Sequence, residues 1–122
     1  MISQHNTEIV NVLVIGSGGA GLRAAIEAKQ LGLTVKIIGK RPKEDVHTVL
    51  AAGGINAAFA NIDKNDSWQQ HFVDTYLEGY SIGDTKLIEI MAKESPTLVN
   101  EIDSWGANFA RTKNNQIDQR FF

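Results

Sequence analysis

Cysteine is absent from the 122 residues, so no disulfide, thiolate metal site or cysteine nucleophile can form within them. That fits a reducing compartment. Neither sign of charge dominates, since 12 Lys and Arg stand against 14 Asp and Glu for a formal net charge of -2. Nucleic-acid surfaces need clustered Lys and Arg, so no nucleic acid partner is expected. Long apolar runs are missing as well. The first, Val10 to Ile15, is far too short to span a membrane. The polar stretch Met1 to Thr7 has no signal-peptide pattern, which points to a soluble, cytoplasmic start. There is no internal repeat, low-complexity tract or Gly/Ser linker, so a single unit is expected. His47 and His71 with scattered acids lack the spacing of a motif such as H-E-x-x-H, so no metal site is assigned.

What is present is an ordinary globular composition, 43% hydrophobic and 21% charged, with 11 glycines placed informatively. Val10 to Ile15 is short, β-branched and ends at glycine, which predicts a buried parallel strand. Leu22, Ala25, Ile26 and Leu31 recur at helical spacing over Ala20 to Leu31, with Gly32 as a left-handed cap. Thr34 to Ile38 is a second β-branched run. Strand, helix and strand make a βαβ unit, so the fold class is α/β, Rossmann-like, with further helices after it.

Lys40 to Val46 reads as a charged loop and Ala51 to Ala60 as an aperiodic small-residue stretch. Ser67 and Gln70 match a capping box, opening a helix to about Gly79 with Trp68, Phe72 and Tyr76 on one packing face. Asp84 caps a helix carrying Leu87, Ile88 and Met91. Ser95-Pro96 starts another, ending at Gly106. Lys113 to Gln116 is a polar turn between extended stretches, and the chain stops at Phe121-Phe122 with no capping tail. His5 and His71 are taken as surface or satisfied loop residues.

Gly16, Gly18 and Gly21 form G-x-G-x-x-G between a predicted strand and helix. The first glycine permits the turn, the second lets backbone approach a pyrophosphate, and the third lets helix and strand pack closely. A dinucleotide is the natural ligand. The acid that would hold an NAD ribose about 20 residues on is replaced by Gly39, Lys40 and Arg41. The basic group Lys40, Arg41 and Lys43 suits an NADP phosphate or a solvated loop equally. The motif alone does not choose among dinucleotides.

The segment Val46-His47-Thr48-Val49-Leu50-Ala51-Ala52-Gly53-Gly54-Ile55-Asn56-Ala57-Ala58 resembles the flavin-attachment segment of the succinate dehydrogenase/fumarate reductase flavoprotein subunits. The resemblance continues through Asp66 to Asp74, Gly83-Asp84 and Ile117 to Phe122. It implies that Gly16, Ser17, Gly18, Gly19, Ala20 and Gly21 hold the FAD pyrophosphate, and that Gly39 and Lys40 lie by the adenosine ribose. His47, Thr48, Ala52, Gly53 and Gly54 would line the isoalloxazine. It also implies a covalent bond from His47 to the 8α carbon of the flavin, for which a neutral imidazole is a competent nucleophile near neutral pH. Val46 and Ala52 depart from the Ser and the Gln or Glu that many members carry.

By the same resemblance the chain is the N-terminal part of an FAD-binding domain, spanning 1–122, with the remainder and the substrate-capping domain absent. The complete protein would interconvert succinate and fumarate by hydride transfer to or from flavin, and its partner would be an iron-sulfur subunit. Membrane contact, at the cytoplasmic face of the inner membrane, would come only through partner subunits. No catalytic residue falls within the chain, and the chain alone is expected to be inactive. Two alternatives stand beside this one: an L-aspartate oxidase-like flavoprotein, which holds FAD non-covalently, and a non-catalytic truncated nucleotide-binding fragment.

Overall fold

The computed structural model describes residues 7–51 and 53–120. His5, Ala52, Phe121 and Phe122 lie outside them. The chain divides into two compact units, Met1–Gly53 and Gly54–Phe122.

The first unit is built on β1 (Val12–Ile15), α1 (Gly19–Gln30) and β2 (Val35–Ile38). The strands pair in parallel, Val12 opposite Val35 through Ile15 opposite Ile38. Each strand is shorter than its β-branched run because Asn11 and Thr34 are used as a clamp. The Thr34 amide donates to Asn11 Oδ1 at 2.9 Å, and the Asn11 amide donates to the Thr34 carbonyl at 3.1 Å. The expectation of a fully buried strand needs correction. Val12 and Val14 are half-buried, whereas Leu13 and Ile15 are 51% and 82% exposed. Among the described residues of this unit α1 alone packs on the sheet, through Ala25 and Ala28, so one face is covered and the alternate side chains are not. Gly32, at φ +80°, ends α1 by placing the Leu33 amide on the Ala28 carbonyl and its own on Lys29.

The predicted charged loop contains a 3-10 turn at Lys43–Asp45, followed by a single helical turn, α2 (His47–Leu50), closed onto the Val46 carbonyl by the amides of Val49 and Leu50.

In the second unit α3 (Trp68–Glu78) packs on α4 (Thr85–Ser104). Ser67 Oγ accepts from the Gln70 amide at 3.3 Å, as the capping motif predicts. The reciprocal half does not form, because Gln70 Nε2 donates instead to Asp74 Oδ1 at 2.6 Å, one turn on along the same helix. Trp68, Phe72 and Tyr76 are half-buried as a packing face. Phe72 and Tyr76 stack with centroids 6.4 Å apart, and Lys93 of α4 sits 4.4 Å from the Trp68 ring, a contact of about 0.5–1 kcal/mol. α3 ends near Gly79, but the left-handed positions are Tyr80 and Ser81, at φ 53° and 59°.

Asp84 caps α4 through the amides of Lys86 and Leu87, at 2.9 and 3.2 Å. The expected break at Ser95-Pro96 is absent, and one helix runs through both residues. A mid-helix proline costs about 3 kcal/mol, partly because it leaves the carbonyl four residues back unpaired. Here that carbonyl is Ala92 O, and Ser95 Oγ donates to it at 3.2 Å. Ala92, Ser95 and Val99 form the buried stripe of the helix, so packing holds the segment helical across the proline. Gly106 ends it at φ +99°. The polar turn at 113–116 joins an antiparallel bridge between Arg111 and Ile117.

Candidate functional site

The glycine loop leaves β1 and enters α1 within the first unit. Gly16 donates to the Ile38 carbonyl at 2.8 Å with φ +120°, a conformation that only glycine adopts without strain. A Cβ on Gly21 would lie 2.0 Å from the Gly16 carbonyl oxygen, so helix and strand meet too closely for any side chain there. A Cβ on Gly39 would lie 2.4 Å from Ser17 Oγ and 3.1 Å from Ser17 Cβ. The end of β2 therefore lies against Ser17 of the loop, and a side chain at position 39 would require the Ser17 hydroxyl to turn away.

Gly18 and Gly53 are different. At Gly18, φ is -79° and a Cβ would meet only Thr48 Oγ1 at an ordinary 3.5 Å; at Gly53 it would meet nothing within 4 Å. Packing among the described residues requires glycine at neither place, which leaves room for a ligand to approach backbone. The first turn of α1 carries no acidic residue to neutralise the positive end of its dipole, and Gly18 offers no capping side chain. These features fit a dinucleotide pyrophosphate.

His47 opens α2 and is exposed. Thr48, beside it, turns to the glycine loop, where its Oγ1 accepts from the Gly19 amide at 2.9 Å. The structure therefore joins the histidine segment to the glycine loop inside one unit, a link that residue spacing does not reveal. Ser17, Gly18 and Gly19 are half-buried, while Ala20, Gly39, Lys40, Arg41 and Gly53 are exposed. Gly54 opens the second unit, where a Cβ on it would meet nothing within 4 Å. Ala52 lies outside the described residues.

The second unit holds a cleft of about 920 Å³ whose lining includes Asp63, Asp66, His71, Asp74, Gln119 and Arg120. Gln119 knits its wall: Nε2 donates to the Ala57 carbonyl at 3.1 Å and to Asp66 Oδ2 at 3.0 Å, and Oε1 accepts from the Asn61 amide at 2.9 Å. His71 sits in α3, half-buried, and its buried Nδ1 has no hydrogen-bond partner among the described residues, which corrects its reading as a surface or satisfied loop residue. The hydrogen bond to Asp103 raises the Arg111 pKa above its ordinary value, outweighing desolvation, with a lesser contribution from the carboxylate's charge. No three His, Asp or Glu among the described residues gather as a metal site, and no helix there is long and apolar enough to cross a membrane.

A family profile described as an FAD binding domain matches residues 11–122. The chain is 43% identical over 113 residues to one of the subunits of the fumarate reductase (CoM/CoB) of Methanothermobacter marburgensis, covering 92% of this chain and 21% of that protein. It is 41% identical over 112 residues to the mitochondrial succinate dehydrogenase [ubiquinone] flavoprotein subunit of Oryza sativa subsp. japonica, covering 92% and 18%. Among solved structures, the Mycobacterium smegmatis Sdh1 complex in the apo form contains a chain with a TM-score of 0.86 and 46% identity, covering 93% of this chain and 19% of that one. The chain thus spans about a fifth of the length of the relatives it matches. With a glycine loop between β1 and α1 and agreement with these relatives across nearly its whole length, the chain belongs to the FAD-binding domain family of the succinate dehydrogenase and fumarate reductase flavoproteins.

Proposed function

We propose that this chain is the N-terminal FAD-binding part of a flavoprotein that interconverts succinate and fumarate, with the flavin bonded to His47. The observation that carries the proposal is the exposed imidazole of His47 on a turn tied to the glycine loop, within one unit. The amides and positive dipole at the start of α1 receive the pyrophosphate, and Gly18 leaves it space. Gly39 and Lys40, at the end of β2, flank the adenosine ribose. His47 supplies a ring nitrogen as nucleophile and loses its N–H proton when it bonds to the cofactor. When bound, FAD supplies the two-electron carrier that takes hydride from, or gives it to, the carbon pair of the dicarboxylate.

The groups that bind the dicarboxylate and move its proton come from outside this chain. An iron-sulfur subunit exchanges electrons with the flavin, and membrane contact runs through partner subunits. The names of the relatives support this reading, one belonging to a fumarate reductase and the other to a succinate dehydrogenase flavoprotein.

The test is acid denaturation of the purified full-length polypeptide. Flavin that stays with the protein, and whose mass maps to the peptide containing His47, is the expected result; His47→Ser then releases it. If acid frees all the FAD and aspartate drives peroxide formation, the protein is an aspartate oxidase-like flavoprotein instead.

A further inference from the structure

Gly19 begins α1, where a helix leaves amides without partners of their own, and the residue before it is a glycine with no side chain to cap them. An acceptor for its N–H arrives from 29 residues along the chain, as Thr48 Oγ1 at 2.9 Å. The methyl of the same residue lies 3.4 Å from where a Cβ on Gly19 would stand. One side chain thus closes on the loop through a hydrogen bond, with its methyl group standing where a side chain on Gly19 would reach it. The turn it belongs to has little else to hold it. α2 is four residues long, buries no residue and packs mainly on the adjacent 3-10 turn. A helix of that length has no stability of its own.

We propose that Thr48 is a positioning residue for flavin attachment: its hydroxyl pins the turn bearing His47 to the glycine loop and so sets where the imidazole stands. The inference rests on His47 as the attachment site. Attachment forms one bond between a His47 ring nitrogen and the 8α carbon and breaks a methyl C–H and the imidazole N–H. Two protons and the remaining electron pair pass to the flavin and then to dissolved oxygen, giving hydrogen peroxide. Thr48 exchanges no proton or electron in this step. It holds the nucleophile in reach, and misplacement on the ångström scale is worth about a hundredfold in rate.

The experiment adds FAD to the full-length apoprotein and follows acid-stable flavin with time in wild type, Thr48→Val and Thr48→Ser. The FAD dissociation constant before attachment and the melting temperature are measured on each. Valine keeps the methyl and removes the acceptor; serine keeps the acceptor. The expected result, read at FAD concentrations that saturate each protein, is attachment slowed by at least roughly tenfold in Thr48→Val and restored in Thr48→Ser, with the melting temperature of both close to that of wild type. Attachment at the wild-type rate in Thr48→Val overturns the proposal. So does a loss of FAD binding and melting temperature in step with attachment, which would make the residue merely structural. If wild type itself releases all its flavin in acid, the His47 reading has failed and this inference falls with it.

Discussion

Replacing Gly21 with alanine sets two effects against each other, and the structure decides between them. Gly21 is the third residue of α1, where alanine is favoured over glycine by about 0.8–1.0 kcal/mol on helix propensity alone. The added Cβ would stand 2.0 Å from the Gly16 carbonyl oxygen, 3.0 Å from its carbon and 3.3 Å from Val14 Cγ1. Carbon and oxygen keep about 3.3 Å even in their closest favourable contacts, so the overlap is about 1.3 Å. The obstacle is backbone, which cannot rotate aside, so α1 must lift from the sheet. Overpacking costs about 1–3 kcal/mol, and an overlap of this size against backbone takes the top of that range, about 3 kcal/mol, leaving an expected net loss of about 2 kcal/mol after the propensity gain.

That loss corresponds to about 10 °C in melting temperature for a small domain. Thermal melting by circular dichroism measures it, and amide hydrogen exchange over residues 12–38 locates it. Gly18→Ala is the control, because its Cβ meets only Thr48 Oγ1 at 3.5 Å. It should melt like wild type yet bind FAD about tenfold more weakly, roughly 1.4 kcal/mol, since on the proposed function the space it fills receives the pyrophosphate. A Gly21→Ala protein that melts at the wild-type temperature, or a Gly18→Ala protein that binds FAD normally, would refute the account of the loop.

Gly39→Asp restores the acid of an NAD site but collides with Ser17, so it should destabilise by about 1 kcal/mol or more without creating NAD binding. Adding Ser17→Gly should recover the melting temperature; no recovery would show that Ser17 is not the obstacle. Ser95→Ala should cost about 1–3 kcal/mol in denaturant unfolding by stranding the buried Ala92 carbonyl. The double variant Ser95→Ala with Pro96→Ala should regain most of it, because residue 96 would again donate a backbone N–H.

Much of the first unit was legible because its signals are local. The β-branched runs, the glycine spacing and the cap at Gly32 each report the backbone that their own residues can adopt, and β1, α1 and β2 lie where these place them to within a residue or two. Ser67 and Asp84 were legible for the same reason, since a capping side chain reaches only two or three residues along. Pro96 misled because its local preference is to stop a helix, while the buried stripe Ala92, Ser95 and Val99 is a tertiary fact. The exposed faces of Leu13 and Ile15 were illegible for a related reason: a β-branched run does not say how many layers cover it.

The sequence by itself determined the α/β class and the glycine loop, because steric limits at glycine and periodicity in apolar residues act over a few residues and survive being read in one dimension, while the family was carried by the resemblance of the segment from Val46 to Ala58. Only the tertiary structure decided that Ser17 stands against Gly39, that Thr48 accepts from the Gly19 amide, and that Ser95 repairs the helix at a proline that packing will not let go. The first two join residues more than 20 positions apart, and the third depends on burial. Distance through space and exclusion from water arise only when the chain closes on itself.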